Sequence, residues 1–148
     1  EAEWEYAARG QGQNNTYPWG NASPNCTYAD FYNNTHCGGV GTSNACSYSN
    51  GNTAQGLCDM AGNVYEWVQD EYHSDYNGAP NDGSGWCTGS CPENASDSNY
   101  NASTTANRVL RGGGWSSSAS NIRTAKRNYY GPSAQNGSGG GRLARSIN

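Results

Sequence analysis

The chain has 148 residues, a formal net charge of −4, 33% hydrophobic residues, 21 glycines, 5 Trp and 11 Tyr. A single domain of this length buries about 68–70% of its unfolded surface, and so many aromatics beside only 14% charged residues exclude a disordered chain. No Lys/Arg cluster provides an electrostatic footprint for nucleic acid, no apolar run reaches the roughly 18 to 20 residues of a membrane span, and Glu1-Ala2-Glu3-Trp4 does not open like a signal peptide.

Glu1 to Arg9 has a helix-forming composition and Gly10 is placed as its C-terminal stop, so the chain is expected to open within a helix. Residues 10–56 are rich in Asn, Gly, Ser and Tyr and show neither strand nor helix periodicity; a loop that long carries function or is pinned by ligands and crosslinks. In residues 56–70 (GLCDMAGNVYEWVQD), apolar Leu57, Met60, Val64, Trp67 and Val68 flank Gly62-Asn63, which predicts a turn leading into a short strand. Residues 71–107 return to loop composition. Arg108 to Trp115 alternates like a strand entering a glycine-rich turn, and further strands are expected near Asn121 to Tyr129 and Gly141 to Ala144. The expected class is α+β with little regular structure and a small antiparallel sheet.

Six cysteines beside one Met and almost no Lys point to an oxidising compartment. Of the possible pairings, proximity suggests Cys26 with Cys37, Cys46 with Cys58, and Cys87 with Cys91, each closing a short loop at a gain of about 3 kcal/mol. Zinc is the competing reading, without a Cys-x2-Cys pair to support it. His36 and His73 stand alone and are expected at the surface. Sequons at Asn14, Asn21, Asn25, Asn33, Asn94, Asn101 and Asn136 are what a chain so rich in Asn, Ser and Thr produces by chance.

Six motifs occur in a telling order: EAEWEYAARG at 1–10, YPWGN at 17–21, GLCDMAGNVYEWVQD at 56–70, GAPNDGSGW at 78–86, RVLRGGGW at 108–115 and GRLAR at 141–145. This order resembles the formylglycine-generating-enzyme-like (sulfatase-modifying factor) family, which implies a variant of the C-type lectin fold across nearly the whole chain. Family members carry a further stretch before the first motif, so the resemblance implies the C-terminal portion of a family domain, its N-terminal elements missing. In the family's enzymes two cysteines shortly after the Gly-Gly-x-aromatic motif bind copper and oxidise a substrate cysteine, a role that needs thiolates. Here Ser116-Ser117-Ser118-Ala119-Ser120-Asn121-Ile122 follows Trp115, and the last cysteine is Cys91, so the implied reading is no enzyme. The resemblance also implies a structural calcium loop, with ligands from Asp59, the carbonyls of Gly62 and Val64, and Glu66, hard oxygens of the kind Ca2+ takes. The alternative is a plain turn in which Asp59 caps backbone amides. A second family site would involve Asp30 and the carbonyl of Phe31.

Over residues 108–148, fixed-looking pieces alternate with positions held by Ser, Asn, Tyr, Ala, Gly and Thr, a pattern that resembles the variable region of diversity-generating-retroelement proteins. Tyr offers a rigid amphipathic surface and Ser, Gly and Asn adaptable hydrogen bonding, the combination binding surfaces favour. The candidate contacts are Ser116, Ser117, Ser118, Asn121, Thr124, Lys126, Asn128, Tyr129, Tyr130, Ser133 and Asn136, with Tyr129 and Tyr130 as anchors; alternatively, Ser and Gly here only make surface turns. The interleaved Val109, Leu110, Trp115 and Leu143 are expected in the core. Arg111, Arg123 and Arg127 are expected as buried or half-buried partners of backbone or carboxylates, the alternative being contact with an acidic ligand. The leading expectation is a non-catalytic variable receptor or adhesin on a cell surface or phage particle, with a protein or glycan ligand. Its competitors are a formylglycine-generating-type oxidase and a self-assembling subunit of an extracellular filament.

Overall fold

In the computed structural model, which describes residues 1–88 and 106–142, the chain opens with helix α1 (Ala2–Ala8). Trp4 and Ala8 lie four residues apart on one face and are both buried. Gly10 follows at φ 65° and ends the helix as the sequence predicts. The long polar stretch after it contains one hairpin that the sequence pattern does not announce, β1 (Tyr32–Asn33) against β2 (Thr35–His36), turning at Asn34 with φ 62°. Asn tolerates that left-handed conformation, which makes so short a turn possible.

The main sheet comprises β3 (Tyr65–Glu71), β4 (Arg108–Arg111), β5 (Asn128–Tyr130) and β6 (Gly139–Gly140), in the order β5-β4-β3-β6. β3 and β4, and β4 and β5, pair antiparallel; β6 runs parallel to β3, so the expected antiparallel sheet is in fact mixed. The strand expected over 121–129 is confined to Asn128–Tyr130 because the chain leaves β4 through Gly112 and Gly113, both at positive φ. It then makes a turn of 3-10 helix at Ala119–Asn121 and drops Ile122 and Thr124 inward. The strand expected near 141–144 forms instead as the two-residue β6; Leu143 and Ala144 lie outside the described residues.

Two clusters form the core: Tyr17, Ala29, Phe31, Ala61 and Ile122, with Trp19 packed against them, and Trp4, Ala8 and Met60 with Val68. Val109 and Leu110 are buried in β4 as expected. Trp115, expected as core, is only half-buried. The disulfides Cys26–Cys37 and Cys46–Cys58 pin the long loop. Cys87 is also disulfide-bonded, and its expected partner Cys91 lies outside the described residues.

Candidate ligand-binding surface

The segment that leaves β4 is fixed from beneath by side chains that never reach the surface. Arg111, fully buried, donates from Nη1 to the Lys126 carbonyl at 3.0 Å and from Nη2 to the Thr124 carbonyl at 2.6 Å. The same Nη2 reaches Glu5 Oε2 at 2.6 Å, and the guanidinium lies 5.0 Å over the Trp4 ring. Thr124 is buried as well; its amide donates to Thr16 O and its hydroxyl to Asn15 O. Ser117 Oγ accepts from the Gly114 amide at 3.0 Å and donates to Tyr65 Oη at 3.1 Å. Two of the eleven expected contact residues, Ser117 and Thr124, therefore hold the backbone and present no side chain to solvent.

The other nine separate into two surface patches and a loop. In the first patch Ser116 and Ser118 are exposed, and half-buried Asn121 donates to Ser118 Oγ at 3.2 Å. The Tyr32 amide bonds to Ser117 O at 2.9 Å, bringing the β1–β2 hairpin alongside, and His36 packs between Tyr32 and Trp115 with ring centroids 5.1 and 4.9 Å away. His36 is thus not a lone surface residue. Its Nδ1 and Trp115 Nε1 are buried atoms without a hydrogen-bond partner among the described residues.

The second patch centres on β5, where Tyr129 and Tyr130 are each 43% exposed. The Tyr129 ring rests on Tyr72 at 4.1 Å. Arg127 lies 5.0 Å over Tyr72 and 4.5 Å over Tyr76, and binds the Glu1 carboxylate through Nε and Nη2 at 2.7 and 3.0 Å. Behind them His73, also half-buried, stacks on Trp86 at 3.7 Å. Tyr72, Tyr76 and Trp86 adjoin this candidate patch and were not named from the sequence; the aromatic density of residues 72–86 was the available signal. Lys126 and Asn128 are half-buried beside this patch, Asn128 Oδ1 accepting the Tyr129 amide at 2.9 Å. Ser133 and Asn136 are exposed on the loop between β5 and β6. Arg127 has the expected structural role. Arg123 does not: it is exposed, with Nε donating to the nearby Ser120 carbonyl.

The sulfatase-modifying factor enzyme 1-like domain family matches residues 1–147. The chain belongs to this family. It is 35% identical over its full length to a serine/threonine-protein kinase, pkn1, of Chlamydia pneumoniae, but covers only 20% of that relative. It is 42% identical over 83 residues to the formylglycine-generating enzyme of Mycobacterium tuberculosis, covering 49% of this chain and 26% of the enzyme. Among solved structures, PvdO from Pseudomonas aeruginosa superposes with a TM-score of 0.68 at 34% identity, over 89% of this chain and 45% of PvdO. Treponema denticola variable protein 1 superposes with a TM-score of 0.62 at 26% identity, over 95% of this chain and 44% of that protein. The chain therefore spans about a fifth of its chlamydial relatives and under half of both solved structures.

Of the calcium ligands that the family resemblance implies, Glu66 and Asp59 have partners within this chain. Glu66 is buried; Trp4 Nε1 donates to its Oε2 at 2.6 Å, and Arg142 reaches both its oxygens, at 2.7 Å from Nη2 and 3.1 Å from Nε. A carboxylate already paired with a guanidinium is a poor ligand for a second cation. Asp59, at φ 55°, accepts the Cys46 amide at 2.7 Å, as the turn reading requires. Among the described residues its acidic and sulfur neighbours are Cys46 and Cys58, whose sulfurs are bonded to each other. The implied second site fares similarly: buried Asp30 accepts from the Gly38 amide and the Ser43 hydroxyl.

Proposed function

We propose that this domain is a non-catalytic ligand-binding module of the variable-receptor type, working outside the cytosol. The observation that carries the reading is the division of labour after β4. Buried Arg111, Ser117, Ile122 and Thr124 fix the backbone, while Ser116, Ser118, Tyr129, Tyr130, Ser133 and Asn136 face solvent and carry at most local contacts, such as Tyr129 on Tyr72 and Asn136 Oδ1 to Ser138. Rigid Tyr anchors among small polar neighbours suit binding to a partner surface. Similarity to Treponema denticola variable protein 1 supports the same reading. Hydroxyls and amides between Ser116 and Ile122 are poor copper ligands, which argues against thiol oxidation. Two disulfides, and the lack among the described residues of a helix able to cross a membrane, accord with display or secretion.

Sequencing the gene from several isolates tests the reading. Substitutions should gather at the six exposed positions and spare Ser117 and Thr124; an even scatter along the chain would overturn it. Calcium at Asp59, Gly62, Val64 and Glu66 is a separate proposal, because it requires Arg142 to leave Glu66. A melting temperature that rises with calcium and falls with chelator would support it, and indifference to both would remove it.

A further inference from the structure

A groove of about 250 Å3 opens between the sheet and the loop that returns from β5 to β6. Trp67 and Leu110, cross-strand partners on β3 and β4, form its floor, and Ala134, Gln135, Asn136 and Gly139 line it from the loop. Among the described residues no charged side chain lines it. The polar groups on offer are neutral: the indole N–H of Trp67 and the amide of exposed Gln135 make no hydrogen bond among the described residues. Asn136 uses Oδ1 to accept from the Ser138 amide and hydroxyl, leaving its NH2 group to donate elsewhere. Gly139 keeps the groove open, since a Cβ there would stand 3.2 Å from Asn136 Oδ1 and 3.8 Å from Trp67 Nε1.

The geometry points to a subsite for one neutral sugar ring, with Trp67 as the stacking surface and Gln135 and Asn136 as the hydroxyl readers. A pyranose pairs an apolar C–H face, which an indole accommodates, with hydroxyls that donate and accept at once; the Gln135 carboxamide matches both counts, and the Asn136 NH2 group adds a donor. The volume lies below the roughly 300–1,000 Å3 of sites for drug-sized ligands, so a single ring fits better than an extended molecule. A carboxylate, phosphate or ammonium ligand would find no opposite charge, and a purely apolar side chain would bury the three polar groups unpaired. The assignment rests on the binding-module reading and narrows its ligand to a glycan.

The test is a titration of the isotope-labelled protein with methyl α-mannopyranoside, methyl β-galactopyranoside and methyl N-acetyl-β-glucosaminide, following the indole N–H signals. At least one glycoside should shift the Trp67 signal saturably while the signals of Trp4 and Trp19 stay in place as markers of an intact fold. Gln135→Ala, at an exposed position, should weaken the response several-fold, and Gly139→Ala, which narrows the groove, should abolish it. No response from Trp67 to any of the three, tighter binding of glucuronate than of the neutral sugars, or a full response in Gly139→Ala would each overturn the assignment. If Trp67 stays silent while substitutions among isolates still gather at the six exposed positions, the sugar subsite falls and the binding module stands.

Discussion

Arg111 never reaches the exposed surface, yet two carbonyls of the segment that forms it hang on this one guanidinium. Its fork serves Thr124 O, Lys126 O and Glu5 together, a geometry that a single ammonium cannot reproduce. Arg111→Met should therefore lower stability by about 3–5 kcal/mol, the usual cost of stranding buried partners of a charge, and Arg111→Lys should recover little of it. Urea unfolding midpoints decide the matter; a loss below about 1 kcal/mol would mean that the carbonyls find water instead. Glu71 offers a second test. Burial pushes its carboxyl up, but the Thr88 amide at 2.7 Å, the Thr88 side chain, Arg108 and His73 outweigh that and hold it below its ordinary value of 4.5. A carboxyl lowered by folding stabilises fully above its unfolded value, and the contribution is lost as pH falls through the folded one. Glu71→Gln should flatten the dependence of stability on pH below about pH 4.5, with little change in its slope near neutrality. Arg111 and Arg127 could be read as structural from residue type alone, because buried or stacked guanidinium groups recur in small polar cores. Arg123 could not, since its segment has no periodicity from which to infer a face.

At the scale of elements, legibility followed length. α1 was legible from its helix-forming composition and Gly10 stop, and β3 and β4 from apolar residues beside glycine turns, whereas the β1–β2 hairpin and β6 have two residues per strand, too few for any pattern. The turn out of β4 was visible as Gly112-Gly113-Gly114, but which glycine is indispensable was not. Gly113 has φ 74°, and a Cβ there would lie 2.7 Å from Ile122 Cγ2 and 2.9 Å from the Asn121 carbonyl. Gly113→Ala should thus cost about 3 kcal/mol or more from strain and overpacking combined. Gly137 has no heavy atom within 4 Å of its Cβ position. Gly137→Ala should change stability by no more than about 0.5 kcal/mol. Thermal melts of the two variants side by side check the assignment, and equal shifts would refute it.

Across the whole molecule, the same polar composition does two opposite jobs, and burial alone separates them. Ser117 and Ser118 are neighbours of one residue type, yet one bridges Gly114 to Tyr65 inside the domain and the other faces water. Composition therefore announced a run of small polar residues without saying which of them hold the backbone in place. The division can be tested with two libraries drawn from Ser, Asn, Tyr, Gly, Thr and Ala. Varying Ser116, Ser118, Ser133 and Asn136 together should leave most members folded, because exposed changes stay within about 0.5 kcal/mol each and differ in sign. Adding Tyr129 removes its contact with Tyr72, a further cost of about 1 kcal/mol. Varying Ser117 and Thr124 alone should leave few survivors, since a larger side chain overpacks a closed site and Gly or Ala strands buried hydrogen-bonding partners. Sorting both libraries by protease resistance gives the surviving fractions directly. Comparable survival would mean that the exposed and buried positions are not distinct, and the reading of this domain as a fixed scaffold under a variable surface would fail with it.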